Sequence, residues 1–272
     1  MSQNNLKILF IGDVIGALGR QAIKQILPGL KKKHAIDLTI VNGENSAHGY
    51  GITTKIYHEM IDLGIDAFTM GNHMWDKKDT VKEIDSYKNL VRPANYPKGV
   101  PGKEYVILDT GEVKVALLNL LGRTFMPCID CPFQVATKLL PEIKEQTPII
   151  IVDFHAEATS EKNAMGYFLA GKVSAVVGTH THVMTADERL LMESTAYISD
   201  IGMVGAEDSV IGMNREQIMN RFLTQMPSKF EPAKIGHGIF NAVIIEIDKA
   251  TGRATKIERV IERTKEKIQI DD

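Results

Sequence analysis

Short apolar runs that close on Gly, Asp, Asn or His recur along the chain, and most are followed by apolar positions spaced three and four apart. The first, "LKILFIGD" at 6–13, precedes "LGRQAIKQILPGLKKK", where Ile23, Ile26, Leu27 and Leu30 share one helical face. "IDLTIVNGEN" at 36–45 repeats the scheme ahead of a helix expected from Thr53. "IDAFTMGNH" at 65–73 makes a third unit, and "TPIIIVDFHAE" at 147–157 and "KVSAVVGTHTH" at 172–182 make two more. Strands alternating with helices predict an α/β fold. "EYVILDT" and "VKVALLNL", joined by "GE", read as a hairpin, and "FNAVIIEID" with "ATKIERVIER" as a late antiparallel pair. One mixed sheet, or two sheets packed together, follows. The stretches 91–105 and 202–214, rich in Pro or Gly, read as surface loops placed where they could cover a site.

At 272 residues the chain can bury a sizeable core, and one domain over 1–272 is expected. The 32 Lys and Arg against 34 Asp and Glu leave a formal charge of −2, which offers no basic surface for duplex nucleic acid. Aromatics at 6% supply no stacking run for a long single strand, although a short RNA end is compatible with both counts. No stretch approaches the roughly 18 uncharged apolar residues of a membrane span, and the N-terminal apolar run is too short for a secretion signal. A cytoplasmic protein with no membrane partner is expected, and a homo-oligomer stays open. Cys128 and Cys131 form a lone C-x-x-C flanked by prolines, without a second pair or a thioredoxin pattern, and read as loop residues.

In open α/β sheets ligands bind beyond the carboxyl ends of the strands. Those ends carry, in order, Asp13, Glu44 with Asn45, Asn72 with His73, His155, and His180 with His182. Carboxylate, amide oxygen and imidazole without thiolate suit manganese, iron or zinc. Asp13, Glu44, Asn45, Asn72, His155, His180 and His182 are too many ligands for one such ion. Two ions are therefore expected, with Glu44 best placed to bridge them. A tight turn after Gly178 would aim His180 and His182 at separate ions about 3.5–4 Å apart. Any one of these residues alone could be a hydrogen-bonded core residue; five strand ends with ligand chemistry argue against that for the set. A hydroxide shared by two cations would attack phosphorus, so no protein nucleophile is needed. His73, next to a ligand, would protonate the leaving oxygen. With Asp13 and Glu44 as the only anionic ligands, the loaded centre stays positive, which suits a singly charged phosphodiester.

The ordered set "GD", "NGEN", "GNH", "FHAE" and "GTHTH" resembles the calcineurin-like metallophosphoesterases from about residue 6 to 185. Ile15 stands where the first motif of that superfamily carries a second ligand histidine, and Glu44 followed by Asn45 replaces its Gly-Asp aspartate. These departures, together with "GDVIGALGR", "NGENSAHGYGIT", "GNHMWD" and "DFHAEATSEK", are similar to one branch, the bacterial YmdB-like family of dinuclear phosphodiesterases. The resemblance implies a four-layer αββα sandwich, two mixed sheets flanked by helices. It implies hydrolysis of a small phosphodiester substrate, 2′,3′-cyclic nucleotides, to 3′-nucleotides with two ions of iron or manganese. It further implies one ion on Asp13, Glu44, Asn45 and His182, the other on Glu44, Asn72, His155 and His180, and His73 as proton donor. The Asn45 amide would offset the histidine missing at position 15.

The competing readings are a phosphomonoesterase or nucleotidase with the same metals, and a regulatory nucleotide-binding protein that keeps them without turnover. His73 speaks for catalysis, since a sensor has no use for a leaving-group acid. Glu157 could orient a ligand imidazole or simply be exposed. His48 could touch substrate or be a solvated loop residue.

Overall fold

The structure, a computed structural model, describes residues 4–271. Residues 1–3 and 272, which the single-domain expectation includes, lie outside the described residues. The chain begins with β1 (Asn5–Ile11), β2 (Asp13–Val14), α1 (Gly16–His34), β3 (Leu38–Asn42), α2 (Thr54–Asp62), β4 (Ala67–Thr69) and α3 (Lys78–Glu83). It continues through β5 (Tyr105–Asp109), β6 (Lys114–Leu121), α4 (Pro132–Gln146), β7 (Ile150–His155), α5 (Thr159–Leu169) and β8 (Ala175–Thr179). It ends with β9 (Arg189–Leu191), β10 (Thr195–Ile198), β11 (Met203–Ala206), α6 (Arg215–Thr224), β12 (Ile235–Gly236), β13 (Gly238–Asp248), β14 (Ala254–Arg263) and β15 (Ile268–Gln269).

Two large mixed sheets result. One runs β2-β11-β13-β1-β3-β4, with β14 also on β13; the other runs β5-β6-β7-β8-β10-β9. In the first, β1, β3 and β4 are parallel and β13 is antiparallel to β1; in the second, β6, β7, β8 and β10 are parallel with antiparallel edges. The expected hairpin is β5 with β6, and the expected late pair is β13 with β14.

Central strands read as continuous apolar runs because both of their faces are buried. Along β1, Leu6, Ile8 and Phe10 join a cluster that also takes Val115 and Leu117 of β6, Ile151 of β7 and Val177 of β8, so the two sheets share one interior. Leu9 and Ile11 point the other way, into a cluster with Leu18, Ile23 and Leu27 of α1 and Ile56 and Met60 of α2. On the far side of the second sheet, Leu118, Val152 and Phe154 pack with Leu140 of α4 and Met165 of α5. The helical face foreseen in α1 is this contact, and α2 starts where Thr53 caps it by accepting from the Ile56 N–H at 3.2 Å.

Two loop expectations are corrected. Met203–Ala206, inside the Gly-rich stretch 202–214, is β11, hydrogen-bonded to β13 and β2. Its short length and two small residues hide a strand from any period-based reading. The beginning of 91–105 is not on the surface: Val91, Arg92, Ala94 and Asn95 are buried, and the chain bridges to Lys103 and Asn119. The Asn95 amide and carbonyl groups bond the Leu121 backbone, which satisfies this buried segment. Cys128 and Cys131 lie in a loop as expected, with Cys131 at the N-cap position of α4 ahead of Pro132. Among the described residues no helix is long and apolar enough to cross a membrane.

Candidate metal centre

Parallel strands place their carboxyl ends on the same edge, and the turns beyond β1, β3, β4, β7 and β8 meet there. Glu44 Oε1 lies 2.9 Å from His155 Nε2, and His180 Nδ1 lies 3.0 Å from that same nitrogen. Glu44, His155 and His180 thus bring one ligand atom each within 4.8 Å of one another, a group able to hold a metal ion. Asp13 Oδ1 is 3.9 Å from His155 Nδ1 and 3.9 Å from His182 Nε2, and the Asn45 amide nitrogen is 3.1 Å from His182 Nε2. Six of the seven expected ligands are therefore linked through one chain of close approaches, of 3.9 Å or less. Asn72 sits between Gly71, where an added Cβ would come within 2.3 Å of both Glu44 and His155, and His73, whose N–H donates to Glu44 Oε2 at 3.1 Å. Gly71 leaves room for the cluster in a way no side chain would.

Two features are those that a ligand site would leave. Asp13 Oδ1 and Asn72 Oδ1 are buried oxygens with no hydrogen-bond partner, an arrangement that folded proteins otherwise avoid. Glu44 Oε1 and His180 Nδ1 also both close on His155 Nε2, and a cation among the three atoms would satisfy all of them at once.

The charges are strongly biased. Burial lifts the Asp13 carboxyl well above the usual carboxylate range, against the pull of His155, and Glu44, Asp200 and Asp153 push it the same way. Burial presses on Glu44 too, but His155 and His73 outweigh it and hold Glu44 down at about 2. Burial opposes the charged form of His155, yet Glu44, Asp13 and Asp153 raise it to about 9. His180 falls to about 3 through burial and then the neighbouring His155 charge, and burial lowers His182 as well. The last two present neutral imidazoles, the form that binds metal.

The backbone holds the pair at the end of β8 against local preference. His180 and His182 have φ of 102° and 64°, left-handed values rare for residues with a Cβ. The His180 N–H donates to Asp13 Oδ2 at 3.2 Å, and His182 Nδ1 bonds the Ile211 carbonyl at 2.9 Å.

The model of the YmdB-like protein family matches residues 9–260. The chain belongs to the YmdB-like family. It is 52% identical over 256 residues, 94% of this chain and 97% of the relative, to a Bacillus subtilis protein named 2′,3′-cyclic-nucleotide 2′-phosphodiesterase. A solved structure from Mycoplasma pneumoniae, described as a novel phosphatase, is 38% identical with a TM-score of 0.90, covering 96% of this chain and 95% of that one. A hypothetical protein from Thermus thermophilus is 38% identical with a TM-score of 0.89, covering 95% and 99%.

In this YmdB-like chain the cluster opens on a cleft of 600 Å³ whose lining includes Glu44, Asn45, His73, Glu157, His180 and His182 together with Arg221, Phe222 and Phe230. Val210 and Ile211 also line it, so part of the stretch 202–214 does face the site. Glu157 is exposed, and its Oε2 is 3.2 Å from His180 Nε2, so it both faces solvent and touches a ligand imidazole. His73 Nδ1 meets Asp76 at 2.9 Å, and its ring stands edge-on to Tyr50 at 4.9 Å.

Several supporting residues escaped the sequence reading. Asp153, Thr179 and Asn42 surround the back of His155, with Thr179 Oγ1 2.8 Å from Nδ1. Asp200 anchors the histidine turn through the Thr181 N–H at 3.0 Å and hydroxyl at 2.7 Å. Asp200 follows β10 as Asp13 follows β1, so the strand-end signal that found Asp13 would have found it. Arg221 and Phe222 lie on α6, far along the chain from every motif, and carry no such signal.

Proposed function

We propose that the chain is a single-domain dinuclear phosphodiesterase that opens 2′,3′-cyclic nucleotides at the 2′ ester and leaves 3′-nucleotides, the activity named for its Bacillus subtilis relative. The observation that carries this reading is the gathering of Asp13, Glu44, Asn45, His155, His180 and His182 at one cleft, with buried oxygens of Asp13 and Asn72 left unpartnered. Asp13, Glu44, Asn45 and His182 would hold one ion, and Glu44, Asn72, His155 and His180 the other. Iron or manganese suits this set, and zinc is admissible. Bound there, two cations would lower the pKa of the attacking water and neutralise charge on the phosphoryl oxygens. In the fold we read a four-layer αββα sandwich, supported by the three apolar clusters. The free thiols of Cys128 and Cys131 fit a cytoplasmic setting.

His73 supplies the proton. Asp76 occupies its Nδ1, so Nε2 is the atom free to face the leaving oxygen. The oxygen of water joins phosphorus, the P–O2′ bond breaks, O2′ takes the proton from His73, and the proton lost by water restores the imidazole. Tyr50 limits how the ring can turn, and the His73 N–H on Glu44 ties the acid to the metal cluster.

Turnover of the iron- or manganese-loaded protein on 2′,3′-cyclic nucleotides, nucleoside monophosphates and an aryl diester tests the reading. Cyclic diesters should be preferred; a faster monoesterase rate would replace it with the nucleotidase reading. His73→Ala should lower turnover by about 10²- to 10⁴-fold with metal content unchanged. Undiminished turnover would remove the acid role.

A further inference from the structure

A second cavity, of 720 Å³, adjoins the 600 Å³ cleft at the metal centre, and Tyr50 and Phe230 line both. Each is in the size range of sites for small organic ligands, so the pair has room for more than one nucleotide. The second cavity is lined by His48, Lys77 and Lys229 and by the acids Glu231 and Asp271. Glu231 is neutralised by Lys229 at 3.0 Å. Lys77 is different. It is half-buried, and its side chain makes no hydrogen bond or ion pair among the described residues. Its stem lies over Gly51, whose added Cβ would meet Lys77 Cγ at 2.9 Å and the His73 carbonyl oxygen at 3.3 Å. Lys77 thus lines the second cavity without an ion pair, its stem beside the turn that carries His73. A partly desolvated cation of this kind is stabilised when an anion meets it.

The chemistry of the substrate says which anion. A 2′,3′-cyclic phosphate uses both ribose hydroxyls, so any longer chain must continue from the 5′ oxygen of the same sugar. Its first internal phosphodiester then lies one nucleotide away from the reacting phosphorus. Resting on the phosphodiesterase reading, we propose that the second cavity is a nucleotide subsite. The substrate class of this centre is then short oligoribonucleotides that end in a 2′,3′-cyclic phosphate. Lys77 meets the phosphate on the 5′ side of the terminal nucleoside, and Tyr50 and Phe230 at the join offer aromatic faces to bases. The reaction class that supplies such ends is cleavage of RNA by attack of its own 2′-hydroxyl. The net charge of −2 supplies no overall attraction for a long polyanion, which favours a short substrate.

The test compares adenosine 2′,3′-cyclic phosphate with the diadenylate that carries the same cyclic end, on the metal-loaded full chain and its Lys77→Ala variant. The dinucleotide should show kcat/KM about tenfold higher, the worth of one good phosphate contact. In the variant the advantage should shrink to about twofold, with the mononucleotide rate unchanged. A second measurement needs neither metal nor turnover. The dinucleoside monophosphate ApA should bind the metal-free chain about tenfold more tightly than adenosine does, and Lys77→Ala should abolish that margin. Mononucleotide turnover with no dinucleotide advantage, or an advantage indifferent to Lys77, overturns the subsite and leaves the phosphodiesterase reading standing. Failure to turn over either compound overturns both.

Discussion

Two buried sets of charges lie at neighbouring strand ends and are built in opposite ways. Asp200, after β10, accepts from Lys162 Nζ at 2.6 Å and from the Thr181 N–H and hydroxyl on one oxygen, and from the Gly202 N–H at 2.8 Å on the other. Both oxygens of that carboxylate have partners within the chain. Asp13, after β1, accepts from the His180 N–H on one oxygen and has no hydrogen bond on the other, only imidazole nitrogens at 3.9 Å, though both residues are almost fully buried. A buried charge that is complete within the chain holds the framework, here the turn between the two histidines. A buried carboxylate left incomplete beside Glu44, His155 and His180 is what the proposed metal site requires.

Breaking the complete set should cost most. Lys162→Met leaves Asp200 buried without its cation, and denaturant unfolding of the metal-free protein should show a loss of about 3–5 kcal/mol. A loss below about 1 kcal/mol would mean that the pair is no framework element. The incomplete set should instead respond to pH. His155, raised to about 9 by Glu44 and Asp13, contributes stability that is full below about pH 6.5 and is lost as pH rises through 9. Metal-free protein should therefore weaken over that window, by up to about 3 kcal/mol, while metal-loaded protein should not, because a cation takes the proton's place. Parallel pH curves with and without metal would count against ligation by His155.

The smallest effect on stability is expected from Asp13→Asn. Burial already disfavours the Asp13 anion, so its removal should leave metal-free stability at neutral pH within about 1 kcal/mol of the parent, or slightly higher. Bound metal should fall all the same. A variant that unfolds like Lys162→Met but keeps its full metal content would reverse the roles assigned to the two aspartates.

Much of the fold was legible because strands buried on both faces and helices buried on one leave different periods. β1, β3, β7, β8 and the amphipathic face of α1 were read that way, and so were the pairs β5–β6 and β13–β14. β11 was not, since Met203–Ala206 is too short and too small to show a period. Asn95 looked like a loop residue because the Leu121 backbone that satisfies it is supplied from 26 positions away.

The order of residue types along the chain was enough to show which strand ends carry ligand chemistry. It determined the inventory: carboxylates, amides and imidazoles without a thiolate. Only the tertiary structure decided which of them touch, because contact between residues 13, 155 and 182 depends on sheet order and strand register, which local spacing does not encode. The left-handed backbone at His180 and His182, the Lys162–Asp200 pair beneath them and the wall that α6 adds to the cleft are of the same kind. Each is a conformation or contact that neighbours in sequence would not adopt by themselves, and each persists because packing from distant segments holds it.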